Sequence, residues 1–239
     1  MKRALVTGGS GALGSAICRH LATAGVRVAV HANRNLAEAE RIAQNIRAAG
    51  GAAEAVAFDV TNEEAAAAAL ERLLADGPVQ IVVNNAGIHA DAPMAGMSGE
   101  DWRSVVDVSL HGFFNVTRPL LLPMMGTRWG RIISVSSVAA LRGNRGQVNY
   151  AAAKAGLHGA TRSLALELAS RGVTVNAVAP GIIDSPMAEK AFSEEAIASL
   201  VPMKRAGKPE EVAALVGFLA SEEAGYISGQ VISIDGGMA

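Results

Sequence analysis

Tyr150 and Lys154 lie four positions apart in Tyr150-Ala151-Ala152-Ala153-Lys154, at the start of a helix-like segment. That spacing puts two side chains on one helix face. A free tyrosine, with a pKa of about 10, is a poor proton donor at neutral pH. A lysine ammonium beside it stabilises the phenolate and draws the pKa toward the working range. A carbonyl that receives a hydride needs such an acid at its oxygen. Ser137, just past the apolar run Arg131–Val135, carries a hydroxyl that can hold the same oxygen. By spacing alone, such a Tyr/Lys pair is usually a pair of surface neighbours. Context has to decide.

A glycine-rich segment supplies part of that context. Thr7-Gly8-Gly9-Ser10-Gly11-Ala12-Leu13-Gly14 follows the first apolar run and leads into a helical pattern. Glycines there let the chain turn sharply and approach a pyrophosphate, and helix N-terminal amides favour its charge. At the end of the second apolar run stands His31-Ala32-Asn33-Arg34-Asn35, with no acid to bond a ribose 2′-hydroxyl. Arg34 can pair with a 2′-phosphate, which favours NADP(H) over NAD. The alternative is a solvated surface arginine.

The elements that must position these residues are legible as short apolar runs alternating with longer helical patterns. Strands are predicted at Ala4–Thr7, Arg27–His31, Glu54–Asp59, Gln80–Asn84, Arg131–Val135, Thr174–Ala179 and Val231–Asp235. Most lack period-two alternation, as strands buried on both faces do. Helices are predicted at Ser15–Ala24, Leu36–Ala49, Glu63–Ala75, Tyr150–Ser170 and Glu210–Ala220. Gly25 and Gly50-Gly51 stop the first two, Thr61 and Asn62 offer caps to the third, and Pro209 suits the first turn of the last. The pattern predicts an α/β, single-domain, Rossmann-like doubly wound parallel sheet of about seven strands with helices on both faces. One domain over 1–239 is expected. Residues 181–205 form a long connection and a candidate substrate loop.

Composition narrows the function. The 239 residues are 50% hydrophobic and 18% charged, which excludes a disordered or coiled-coil chain. The 21 basic and 22 acidic side chains give a net charge of -1, so nothing favours nucleic acid or an anionic membrane surface. No apolar run approaches a membrane span or a signal-peptide core, and a cytoplasmic protein is expected. The single cysteine, Cys18, rules out an internal disulfide and a cysteine-built metal site; it reads as a small buried hydrophobe. The histidines show no metal-ligand spacing, and no metal is expected.

In chain order, Thr7-Gly8 to Gly14, Asn84-Asn85-Ala86-Gly87, Ser137, Tyr150 to Lys154 and Pro180-Gly181 together resemble the short-chain dehydrogenase/reductase family, over essentially the whole chain. The stretches 143–156 and 178–183 and the tail from Ile227 to Met238 resemble its 3-oxoacyl-[acyl-carrier-protein] reductases. The resemblance implies that Tyr150 is the general acid, that Lys154 also binds the nicotinamide ribose, and that Ser137 orients the carbonyl. It places NADP(H) along Gly8, Ser10, Gly11, Leu13 and Gly14, with Asn33 and Arg34 beyond the second strand. Asp59 and Val60 fall near the adenine, and Asn85, Ala86 and Gly87 along the ribose side. Pro180, Gly181, Ile183 and Ser185 fall toward the nicotinamide. Asn85 as a strand-end brace and Ser185 as a turn cap are the alternatives.

Two departures from the family pattern stand out. Ala12 replaces the middle glycine of the turn, and a left-handed backbone there costs about 1 kcal/mol or more. Ser109 replaces the asparagine that completes the family's catalytic tetrad. A serine can also bond to helix backbone and bend it, so activity with an altered proton relay is expected. The alternative is a weakly active cofactor-binding subunit. The expected reaction is NADPH-dependent reduction of a 3-oxoacyl thioester on acyl carrier protein, in fatty acid or polyketide/aryl-polyene-type biosynthesis; another alcohol or ketone is the competing substrate. Arg128 and Arg171 match carrier-docking positions and are expected near the cleft, or else are ordinary solvated arginines. Residues 88–94, with His89, and 187–205 are expected to shape the acyl pocket. The resemblance implies a homotetramer.

Overall fold

The computed structural model describes residues 1–185 and 192–239. Seven strands form one sheet: β1 (Arg3–Val6), β2 (Arg27–Ala32), β3 (Ala53–Ala57), β4 (Ile81–Asn84), β5 (Gly130–Val135), β6 (Val173–Pro180) and β7 (Val231–Ile234). Every pairing is parallel, in the order β3-β2-β1-β4-β5-β6-β7. The winding therefore reverses between β1 and β4, and a crevice opens there at the C-terminal ends of the strands. β5 and β6 are buried along their whole length, whereas edge strands β3 and β7 are only partly buried. Continuous apolar runs in the centre and mixed ones at the edges follow from that difference.

The helices among the described residues are α1 (Ala12–Thr23), α2 (Leu36–Ala48), α3 (Glu63–Ala75), α4 (Gly99–Val106), α5 (Gly112–Gly126), α6 (Ala139–Arg142), α7 (Val148–Leu168), α8 (Glu194–Leu200) and α9 (Pro209–Leu219). On one face of the sheet α1, α2 and α9 bury Ile17, Leu21, Ile42, Ile46, Val212 and Val216. On the other, α3, α5 and α7 bury Leu70, Leu120, Met124 and Leu168. Each such side chain contributes on the order of 1.5–3 kcal/mol by leaving water. Asn35 and Asn62 cap α2 and α3 by accepting from the amides of Glu38 and Ala65.

All seven predicted strands are present, with ends shifted by a residue or two. Helix α1 begins three residues before the predicted Ser15, so the glycine-rich turn feeds straight into it. The rod from α4 to α5, joined by a π-helical turn at Asp107–His111, is absent from the helices predicted from pattern, although the family resemblance implies a helix around Ser109; Pro119 and Pro123 lie inside it. The connection 181–205 contains α8, capped by Ser193. Residues 186–191, part of the expected acyl-pocket segment, lie outside the described residues. No helix among the described residues is long and apolar enough to cross a membrane.

Candidate active site

The turn after β1 is built from backbone. Gly8 is left-handed, with φ +61°, and a Cβ there would stand 3.0 Å from Asn85 Nδ2. At Gly14 a Cβ would fall 2.2 Å from the Gly8 carbonyl oxygen, so α1 presses directly on the turn. Gly11 caps α1 with extended backbone and no side chain, leaving the positive end of the helix uncovered by any cap. Ala12 is the first helical residue and has no positive φ, so the strain expected from its alanine does not arise.

Asn85 is a brace. Its Nδ2 donates to the carbonyls of Thr7 (2.9 Å) and Gly8 (3.1 Å), while Thr7 Oγ1 accepts from the amides of Asn85 and Ala86. Around the same edge, Asn33 and Arg34 stand exposed after β2. Asp59 Oδ1 accepts from Thr61, and the Val60 carbonyl accepts from Asn115 Nδ2. The backbone passes Lys154 closely at Gly87, where a Cβ would meet Nζ at 3.2 Å. Past β6, the Gly181 amide donates to Ile234, Ile183 bridges to Gly207, and Ser185 Oγ donates to the Ile183 carbonyl at 3.3 Å.

Tyr150 and Lys154 occupy the first two turns of α7, and Ser137 lies two residues beyond β5. Lys154 is buried, and its Nζ donates to the Val135 carbonyl at 2.8 Å and sits 5.7 Å from the Tyr150 ring centre. Burial lowers its pKa to about 8. Burial also raises the Tyr150 phenol above its ordinary range; a hydrogen bond with Ser137 pulls it back, and the Asp91 carboxylate pushes it up. The expectation that the lysine draws the phenol down is thus not met in the free protein. Desolvation dominates, and one of the ammonium's three N–H donors is used on the Val135 carbonyl.

Asn149 sets the start of α7: its Nδ2 donates to the carbonyls of Ala90 and Asp101, and its Oδ1 accepts from the Tyr150 amide. Ser137 and Tyr150 line a cleft of about 430 Å³, together with His89, Arg142, Gln147 and Phe192. His89 lies 3.4 Å from the Asp91 carboxylate, which also accepts from Gln147. Arg142 donates to the Met238 carbonyl.

The glycine-rich turn, the crevice at the strand reversal and the Ser137–Tyr150–Lys154 cluster thus share one edge of the sheet. Residues 9–239 match a family model described as enoyl-(acyl carrier protein) reductase. The chain is 44% identical, over 98% of both chains, to a 3-oxoacyl-[acyl-carrier-protein] reductase FabG of Aggregatibacter actinomycetemcomitans. The chain belongs to the short-chain dehydrogenase/reductase family. An acetoacetyl-CoA reductase of Rhizobium meliloti is also 44% identical, over 98% of this chain and 97% of its own. A crystal structure of a putative gluconate dehydrogenase from Agrobacterium tumefaciens superposes with a TM-score of 0.95 at 35% identity, covering 99% of this chain and 95% of that one. As a short-chain dehydrogenase/reductase the protein is an oxidoreductase with a fold that takes a nicotinamide cofactor.

Three expected site residues are placed differently from the expectation. Ser109 lies in the π-helical turn with a buried Oγ that has no partner among the described residues, so the expected bond to helix backbone is missing. It borders a void of about 10 Å³ together with Thr7, Asn84 and Leu157. Arg128 and Arg171 immediately precede β5 and β6, so parallel pairing puts them at the opposite edge from the cleft. Six residues of β5, at about 3.3 Å each, separate the two edges. The expectation that Arg128 and Arg171 lie near the cleft is therefore not met within one chain; among the described residues, the arginine that lines it is Arg142.

The sequence pattern did not single out Asn149 and Gln147 as individuals, although both stand within the stretch 143–156, nor Arg142 just before it. It also missed His31, whose signal was a polar residue inside an apolar strand. Ser136 was missed as well: it donates to the Lys154 carbonyl and meets His158 Nε2 at 2.7 Å, bracing the lysine's turn of α7 against β5.

Proposed function

We propose that this short-chain dehydrogenase/reductase is an NADPH-dependent reductase of 3-oxoacyl thioesters carried on acyl carrier protein. The observation that carries the reading is a cleft lined by Ser137 and Tyr150, with Lys154 buried 5.7 Å from the Tyr150 ring centre, at the same end of the sheet as the glycine-rich turn. The residues fit the cofactor: a pyrophosphate approaches backbone where Gly8 and Gly11 carry no side chain, against the uncapped start of α1. Ser10, Leu13 and Gly14 complete that turn, with Asp59 and Val60 beside the adenine, Ala86 and Gly87 along the ribose side, and Pro180, Gly181, Ile183 and Ser185 toward the nicotinamide. Arg34, exposed where no acid stands, supports NADPH.

NADPH bound along this edge supplies the hydride. Tyr150 gives its proton to the substrate oxygen. The raised pKa of the phenol keeps that proton on it until negative charge develops. Ser137 holds the same oxygen from the side of the phenol. Lys154, fixed by Val135, brings positive charge under the tyrosine and, with a pKa of about 8, can pass a proton on. Positioning and electrostatics are the protein's contributions.

The relatives named as 3-oxoacyl-[acyl-carrier-protein] reductases support the acyl substrate; use of the product in fatty acid or polyketide/aryl-polyene-type assembly is part of the same proposal. Phe114, Leu122 and Leu166 stand exposed on α5 and α7, which supports subunit contacts in a homotetramer. In that reading Arg128 and Arg171 dock the carrier at a neighbouring subunit's cleft. A second reading, a polar alcohol or sugar acid as substrate, draws on the polar rim of His89, Asp91, Arg142 and Gln147 and on the gluconate dehydrogenase likeness.

The test is loss of NADPH and, separately, NADH absorbance with acetoacetyl thioesters of carrier protein and CoA. Faster oxidation of NADPH with the carrier-protein thioester is the expected result. Turnover of sugar acids with no thioester reduction establishes the second reading instead.

A further inference from the structure

His31 is buried at 1% exposure near the end of β2, where it was read only as part of an apolar run. Both of its ring nitrogens are engaged. Nδ1 accepts from the Gly8 amide at 3.0 Å, and Nε2 lies 2.9 Å from the Phe58 carbonyl oxygen. A peptide N–H can only donate and a carbonyl can only accept, so the partners fix the tautomer: the proton is on Nε2, and Nδ1 carries the lone pair. The His31 carbonyl takes the Ser10 amide as well, and the Phe58 ring packs 4.2 Å away at a tilt.

Gly8 is the left-handed pivot of the turn. With its N–H on His31 and its carbonyl on Asn85 and Gly11, both of its polar groups are held. Because α1 rests on the Gly8 carbonyl at Gly14, fixing Gly8 fixes the direction of the first turn of α1.

We infer that His31 is a positioning residue for the dinucleotide site: its neutral imidazole locks Gly8 and so pre-shapes the turn and helix end that receive the pyrophosphate. This rests on the dinucleotide reading given above. His31 is too buried to touch the ligand; it acts by removing the ordering that binding would otherwise have to bring about.

The test compares wild type, His31→Phe and His31→Asn as full-length proteins, by NADPH titration and steady-state kinetics. Asparagine keeps an acceptor, Oδ1, near the place of Nδ1. Folding is checked by circular dichroism. His31→Phe is expected to raise the NADPH Kd and KM about tenfold, the worth of one buried hydrogen bond, with kcat at saturation within about twofold. His31→Asn should recover most of that loss, which a merely volumetric role would not allow. Folded His31→Phe with wild-type NADPH affinity overturns the proposal. Should that variant not fold, ¹⁵N NMR of the wild-type imidazole decides: a proton on Nε2 with a slowly exchanging Gly8 amide supports it, and a proton on Nδ1 overturns it. A wild-type protein that binds neither NADPH nor NADH removes the dinucleotide reading and this one with it.

Discussion

At the N-terminal edge of the sheet, charge is answered by charge or carbonyl. Arg3 donates to the carbonyls of Leu73 and Gly77, Arg27 pairs with Glu54 and Asp76, and Arg131 donates to the carbonyls of Ser221 and Gly130. Trp129 lies under both Lys2 and Arg131. Among the described residues of the C-terminal edge, Lys154 is buried on the Val135 carbonyl with no ion-pair partner, Tyr150 is desolvated, and Ser109 Oγ has no hydrogen-bond partner. Four to eight residues of strand separate the two arrangements. One edge spends its polar groups on holding the sheet. The other holds Lys154 and Tyr150 out of water, so that a substrate meets groups with displaced pKa values.

Substitutions at the two edges should therefore separate activity from stability. The largest effect is expected from Tyr150→Phe, which removes the acid and little volume. Turnover should fall about 10²- to 10⁴-fold with NADPH affinity retained, read by steady-state rates and fluorescence titration. Wild-type turnover in that variant would sink the catalytic assignment and the contrast with it.

A pH titration tests the nucleotide side of the same edge. Burial holds His31 neutral down to about 4, against 6.5 in an unfolded chain, with Asp59 the charged neighbour opposing the shift. The stability this confers is complete above pH 6.5. As the pH falls toward 4 the unfolded chain takes a proton that the fold refuses, and about 3 kcal/mol is lost. Urea midpoints of wild type against His31→Asn between pH 7 and 4 isolate that slope. Parallel curves would show that His31 does not carry it.

The smallest effect belongs to the structural edge. Arg131→Met leaves the carbonyl of Ser221 without its donor and should cost about 2 kcal/mol in urea unfolding with kcat unchanged. A matching loss of kcat would erase the distinction between the edges.

The central strands were legible because burial on both faces favours continuous aliphatic runs, as in Ile81-Val82-Val83. Ser137, Tyr150 and Lys154 were legible because their chemistry needs those side-chain types. What the sequence hid has a common cause: it records neighbours along the chain and not the edge of the sheet on which a residue lands. Arg128 and Arg171 looked like cleft residues until parallel pairing carried them to the far end. The α4–α5 rod was masked by Pro119 and Pro123, which normally argue against a helix interior. The bracing roles of Asn85 and His31 lie in contacts between segments more than twenty residues apart.

Cys18 lies beneath the glycine-rich turn, fully buried, with its Sγ where a side chain on Gly9 would collide with it at 3.1 Å. Burial pushes its thiol up to about 12. A thiol that neither reaches solvent nor ionises reacts with a labelling reagent only when the structure above it opens. The chain thus carries a built-in counter of such openings in its one sulfhydryl. A tightly bound dinucleotide, by holding the turn down, would slow the count.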